Sequence, residues 1–192
     1  MAKYLLVSFK TCPWVQRSAI LLREKNTPFE FRHIESDNRP DWFLAISPHK
    51  KVPTLTIDDG VTLFESSAIN EYLDEMVSPQ LHPADPIQRA INRAWTDYVP
   101  TFASNTTGCA YAATQEAYEA AIAKIPDTFD RIKKIGTMEK YPRLKAWCDA
   151  LMARPSTHSF PEAEFEAMYR EGLRKRGSYL SQFVEAPRAA AE

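Results

Sequence analysis

Apolar and polar positions change their period several times along the chain. The run KYLLVSF (Lys3–Phe9) is short and apolar enough for a buried strand. WVQRSAILLREKN then takes helical spacing, with Val15, Ala19, Ile20 and Leu22 on one broad face. From Pro28 to Glu35, PFEFRHIE alternates in the strand manner and sets Phe29, Phe31 and His33 on one side. PDWFLAIS reads as a helical turn or two. TLTIDDG and VTLFES are parted by the turn signal Asp58-Asp59-Gly60, which predicts a hairpin. SSAINEYLDEMV opens with serines and repeats apolar residues at Ala68/Ile69, Tyr72/Leu73 and Met76, which predicts a helix.

The order is therefore β-α-β-α-β-β-α, a parallel half followed by a hairpin and a closing helix. That is a thioredoxin-like α/β domain over residues 1–77. Residues 78–86, SPQLHPADP, hold three prolines and break the pattern, so they read as a linker. Beyond it strand signals end. Ile87, Ala90, Ile91, Ala94, Trp95, Tyr98 and Phe102 keep helical spacing, in a long helix with a kink expected at Pro100. Further helices are predicted in EAYEAAIAKIPDTFDRIKK, in YPRLKAWCDALMARP and in PEAEFEAMYREGLRKR. In the second of these Leu144, Cys148, Leu151 and Met152 are expected to face inward. Residues 87–192 thus form an all-helical part, and the fold class is α/β plus all-α.

Composition narrows the function. Lys and Arg number 24 against 25 Asp and Glu, a net charge of -1, which argues against nucleic acid or an anionic membrane as partner. No uninterrupted apolar run approaches the roughly 18 residues of a membrane span. The opening MAKYLLVSFK lacks the small-residue cleavage site of a signal peptide. Cys12, Cys109 and Cys148 are too few for a disulfide framework and point to a reducing, cytoplasmic setting. His33, His49, His82 and His158 are scattered, so no metal is expected.

Three stretches carry chemistry. Cys12 stands just ahead of Pro13, at the door of the first predicted helix. Only a thiolate attacks, and a cysteine of pKa ~8.5 is mostly protonated at neutral pH. The free N–H groups and dipole of a helix start favour an anion, so this placement predicts a lowered Cys12 pKa. The same position also suits a buried structural cysteine. Val15 fills the place of the second thiol in a Cys-x-x-Cys pair, so a mixed disulfide on Cys12 needs an external thiol to resolve it. In KKVPTL, a cis Val52–Pro53 bond would turn the Val52 backbone toward a peptide-like ligand; a plain strand-start proline is the alternative. In FESSAI, Glu65 suits an ammonium and Ser66 at a helix start suits a carboxylate, or the pair simply caps the helix. Together the three fit a ligand with an amino-acid head, a peptide middle and a thiol end, which is glutathione.

Cys12-Pro13-Trp14-Val15-Gln16-Arg17, Lys51-Val52-Pro53 and Glu65-Ser66, at these spacings, resemble the cysteine-type glutathione transferases: the omega, lambda and dehydroascorbate-reductase branches and their bacterial relatives. The likeness runs on through NRPDWFLAISP, LHPADP, YPRLKAWCDALMARPS and LRKRGSYL. It implies that Cys12 makes or breaks a bond to the glutathione sulfur. Val52 would pair with the cysteinyl unit beside a cis Pro53. Glu65 and Ser66 would hold the γ-glutamyl group, and Arg39 and Lys51 would be basic contacts for its carboxylates. It nominates Trp14, Trp95, Tyr98 and Tyr111 for a small hydrophobic or glutathionylated second substrate, with glutathione as co-substrate and a homodimer as the assembly. The implied activity is thiol transfer through a Cys12 mixed disulfide. The alternatives are a conjugating or thioether-cleaving transferase, or a binding protein without turnover. Between FDRIKKIG and EKYPRLKAW the family has a further helix, where Gly136–Glu139 bridges directly. The resemblance therefore implies a helical domain shortened near 136–140, or a segment missing there.

Overall fold

The computed structural model describes residues 3–58, 60–125 and 142–184. The shortening expected near 136–140 lies outside them. Two compact units are present: Met1–Arg93 with Arg154–Ser159, and Ala94–Ala153 with Phe160–Glu192.

The first unit is built on a four-stranded sheet ordered β2-β1-β3-β4, from strands β1 (Tyr4–Ser8), β2 (Glu30–His33), β3 (Thr54–Ile57) and β4 (Val61–Phe64). β1 lies parallel to β2 and antiparallel to β3, and β3 and β4 form the hairpin. β1 is a near-continuous apolar run because it is a central strand, with Leu6 and Val7 fully buried. The alternation in β2 brings the rings of Phe29, Phe31 and His33 into one row, with centroids 5.8 and 4.5 Å apart. Helices α1 (Pro13–Glu24), α2 (Asp41–Ile46) and α3 (Ser66–Met76) complete the β-α-β-α-β-β-α order.

α1 and α3 pack through Val15, Ala19, Leu22, Ile69 and Leu73, all fully buried. Three polar contacts run along the same seam. Arg17 Nη1 donates to Ser66 Oγ at 3.3 Å, Ser18 Oγ to Asn70 Oδ1 at 2.7 Å, and Lys25 Nζ reaches Asp74 Oδ1 at 2.9 Å. The last pair is buried. Lys25 spends its other donors on the carbonyls of Val77 and Pro79, while Asp74 accepts from the N–H groups of Leu81 and His82. The proline-rich segment is thereby tied to both helices. Ser78–Pro79, like Val52–Pro53, is cis. Chain from far away closes the outer face of α1. Arg154 and Ser156 donate to Glu24, Arg23 Nη1 to Ser159 Oγ at 2.9 Å, and Ser159 Oγ to Gln16 Oε1 at 2.5 Å. Those bonds from Arg154 and Ser156 hold the Glu24 carboxyl down at about 2.

Helix α4 (Pro86–Tyr111) runs as one element across Pro100. The second unit continues with α5 (Gln115–Ile122), α6 (Pro142–Met152) and α7 (Glu162–Lys175). α7 ends as its sequence dictates. Gly177 sits at φ +60, Gly177 N–H returns to Arg174 O, and Ser178 N–H returns to Leu173 O. Ser178 Oγ then donates to Ala110 O at 2.6 Å, fastening this turn to the end of α4. Cys109, Ala112 and Leu173 are the buried hydrophobics here among the described residues. The inward placement expected for α6 is corrected in part: Cys148 is half-buried, but Leu151 and Met152 are exposed. The helical period marks an apolar face without supplying what covers it. Among the described residues no helix is long and apolar enough to cross a membrane.

Asp74→Asn should destabilise the protein at pH 7 by about 3 kcal/mol, because it leaves the Lys25 ammonium buried against a neutral amide. Burial alone raises the Asp74 carboxyl, but the Leu81 N–H, Lys25 and the His82 N–H outweigh it, and the net displacement is downward. A carboxyl that ionises more readily when folded stabilises fully above its unfolded pKa. That contribution disappears as the pH falls through the folded one. Urea unfolding of both proteins should therefore show a gap at pH 7 that narrows as the pH falls below the ordinary carboxylate range.

Candidate active site

The sheet register places the three chemical stretches at one end of the first unit. Val7 of β1 lies opposite Thr54 of β3, and Thr54 opposite Phe64 of β4. The chain leaving β1 toward Cys12, the Val52–Pro53 step entering β3 and Glu65–Ser66 leaving β4 therefore emerge side by side. The Arg17–Ser66 contact confirms that α1 and α3 begin close together.

Cys12 is the N-cap of α1 at φ -78, with its own N–H bonded to Phe9 O at 3.1 Å and Pro13 following at the first helical position. Its sulfur is half-buried against the core. Burial pushes the thiol up, and the N–H groups of Val15 and Trp14 pull it down. The net displacement is upward, which corrects the expectation of a lowered pKa. The side chain closes no capping hydrogen bond on α1, so the helix start does not offset the lost hydration.

Val52 and Pro53 are buried and joined by a cis bond, as one of the two readings of KKVPTL required. Ser47 shapes the approach to them: its hydroxyl donates to Lys51 O at 2.9 Å and accepts from Lys51 N–H at 3.0 Å. The Lys51 side chain is exposed. Glu65, at φ 67, is the N-cap of α3, and its exposed carboxylate makes no capping bond. The reading of Glu65 as a cap is therefore set aside. Ser66, the first residue of α3, is buried. Arg39 lies 5.3 Å over the Phe9 ring, and its buried Nε has no hydrogen-bond partner among the described residues. Trp14 belongs to this unit and stacks on Arg17, 5.9 Å from centroid to guanidinium carbon.

The other nominated aromatics belong to the second unit. Trp95 and Tyr98 meet edge to face at 6.0 Å, with the Tyr98 hydroxyl buried and unpartnered among the described residues. Tyr111 lies 4.9 Å under the Arg176 guanidinium. No group of three or more metal-ligating side chains occurs among the described residues. Arg17 stands within the motif quoted from the sequence but received no role there, because only the folded seam shows what it reaches.

Residues 6–80 match the family described as glutathione S-transferase, N-terminal domain. A probable glutathione S-transferase of Solanum tuberosum is 31% identical over 150 residues, spanning 73% of this chain and 68% of that protein. The chain belongs to the glutathione S-transferase family. The chain is also 32% identical over 96 residues to a probable glutathione transferase omega-2 of Caenorhabditis elegans, across 49% of this chain and 38% of that one. Over the first curated relatives it matches, it spans from 30% to 54% of their length. Among solved structures, the tau class glutathione S-transferase of mango, Mangifera indica, superposes at TM-score 0.78 with 25% identity, over 89% of this chain and 98% of that chain.

Alkylation of Cys12 by iodoacetamide should rise with pH well past the ordinary thiol midpoint of ~8.5 and show no plateau near pH 6. Mass mapping of the labelled peptide against pH measures this. A half-maximal rate near pH 6 would show that the helix start dominates after all.

Proposed function

We propose that this chain is a glutathione-dependent transferase of the cysteine type, in which residues 1–77 bind glutathione and residues 87–192 serve the second substrate. The observation that carries the reading is the convergence of Cys12, the cis Val52–Pro53 step and Glu65–Ser66 at one end of the sheet. Val52 offers its backbone to the cysteinyl unit, Glu65 takes the γ-glutamyl ammonium and Ser66 its carboxylate. Arg39 and Lys51 meet carboxylates. Likeness to an omega-class relative supports the same assignment.

In the proposed reaction the Cys12 thiolate attacks the glutathionyl sulfur of a mixed disulfide. A Cys12–glutathione disulfide forms, and the substrate thiolate leaves and takes up a proton. A second glutathione thiolate attacks that disulfide, releasing glutathione disulfide and restoring the Cys12 thiolate. Because Val15 supplies no neighbouring thiol, this external step is obligatory. With the Cys12 thiol held high by burial, the exchange rate rises from pH 7 into the alkaline range. The small glutathionylated or hydrophobic substrate, the cytoplasmic setting and the homodimer belong to the same proposal.

A second reading rests on that raised thiol. A protonated Cys12 can donate a hydrogen bond to a glutathione thiolate and so support conjugation to a carbon electrophile, a reading that likeness to a tau-class structure favours. Steady-state assays with a glutathionyl disulfide and with an aryl halide separate the two. Under the proposed function Cys12→Ser abolishes disulfide turnover; under the second it keeps or improves conjugation, since serine still donates. In either case Glu65→Ala should weaken glutathione binding by about 1.5–3 kcal/mol through loss of a charge-assisted bond. Calorimetry with unchanged affinity would remove Glu65 from the site.

A further inference from the structure

We propose that Tyr111, Phe165, Tyr169 and Arg176 form a recognition surface for an aromatic carboxylate, the class of second substrate this chain takes. The inference rests on the reading that residues 87–192 serve the second substrate, and all four residues lie in the second unit. Phe165, Tyr169, Leu173 and Arg176 recur at three- and four-residue spacing, so they share one face of α7 and its C-cap. That face meets the end of α4. Leu173 is buried, Ser178 Oγ bonds Ala110 O, and the Arg176 guanidinium lies 4.9 Å over the ring of Tyr111. The Phe165 and Tyr169 rings are stacked at 6.2 Å with planes 18° apart. Tyr111, Phe165 and Tyr169 nonetheless stay 46, 46 and 41% exposed, which leaves flat apolar area for a ring to cover.

Arg176 makes the occupant an anion. Arg170 and Arg174 on the same helix are taken by Glu166 and Glu171, whereas Arg176 has no carboxylate partner among the described residues. One of its N–H groups goes to Gly172 O at 2.9 Å. A guanidinium holds five N–H donors in a rigid fork, so the remainder suits a planar, two-oxygen acceptor. Gly172 allows this pose, because a Cβ there would stand 3.0 Å from Arg176 Nη1. Glycine is a poor residue for a helix interior, and here it keeps the fork seated. The negative end of α7 is muted, since Gly177 and Ser178 N–H groups occupy the carbonyls of Arg174 and Leu173. Burial and the nearby Tyr111 raise the Tyr169 phenol, and Arg176 offsets them only in part. Tyr169 is therefore a proton donor at neutral pH and can give a hydrogen bond to a carboxylate. Glutathione has no ring to lay on these aromatics, so the surface is for the other substrate.

The test separates charge from shape. Naphthoate and its uncharged twin naphthamide are titrated by calorimetry, without glutathione, into wild type, Arg176→Met, Arg176→Lys and Tyr169→Leu. Wild type should bind naphthoate about tenfold or more tightly than naphthamide, as a charge-assisted pair gives. Arg176→Met should erase that preference by weakening naphthoate. Arg176→Lys should keep part of it, having the charge without the fork. Tyr169→Leu should weaken both ligands through loss of the stacked ring. Wild type binding the two alike, wild type binding neither, or a preference that survives Arg176→Met overturns the proposal. If Arg176→Met does not fold, Arg176→Lys decides, and an undiminished preference overturns it. Turnover then ties the surface to the reaction. Mixed disulfides of glutathione with mercaptobenzoate and with mercaptobenzamide should differ about tenfold in KM in wild type and be alike in Arg176→Met. Equal KM values in wild type overturn the assignment to the second substrate. Turnover of neither disulfide refutes the thiol-transfer reading, and the naphthoate titration then decides the carboxylate surface by itself.

Discussion

The seam between α1 and α3 is the constraint on which the candidate site depends. Its apolar residues supply the attraction, but Val15, Ala19, Leu22, Ile69 and Leu73 would tolerate sliding of one helix on the other. The polar contacts do not. Arg17–Ser66, Ser18–Asn70 and Lys25–Asp74 sit at successive heights, so a one-residue slip breaks all three together. Cys12 opens one helix and Glu65–Ser66 precede and open the other, so fixing the register fixes the separation of Cys12 from Glu65–Ser66. The buried Lys25–Asp74 pair also gathers the carbonyls and N–H groups of residues 77–82. An isolated buried ion pair is a poor source of stability, and its value here is geometric specificity.

Electrostatics at Cys12 are a contest that burial wins. A sulfur at a helix start is commonly read as an activated thiolate, and the backbone N–H groups of Val15 and Trp14 do pull in that direction. The sulfur also packs against the core, where the charged form loses hydration. Burial therefore disfavours the charged form of this thiol despite its place at a helix start.

Much of this was legible in the sequence, for identifiable reasons. Strong periodicity and Gly or Pro punctuation made the order of elements readable, down to the Phe29–Phe31–His33 face and the hairpin around Asp58–Gly60. Cys12, Val52–Pro53 and Glu65–Ser66 were readable because each needs a residue type at a particular junction. Arg17 and Asp74 were not, since their partners lie 49 and 49 positions away along the chain at Ser66 and Lys25. The raised Cys12 thiol was missed for a similar reason: a helix dipole can be inferred locally, whereas burial is a property of the finished core. The exposed Leu151 and Met152 show the complementary limit, that periodicity marks an apolar face but not its cover.

Glu65 carries a last consequence. A side chain with a Cβ at φ 67 occupies backbone space that glycine enters freely, at a cost on the order of 1–3 kcal/mol. At this N-cap the residue also contributes no capping bond, so by the standards of folding it is a poor choice twice over. A glycine here would relieve the backbone and leave the carboxylate's place empty. Backbone ease and a carboxylate at the start of α3 therefore pull in opposite directions at one residue.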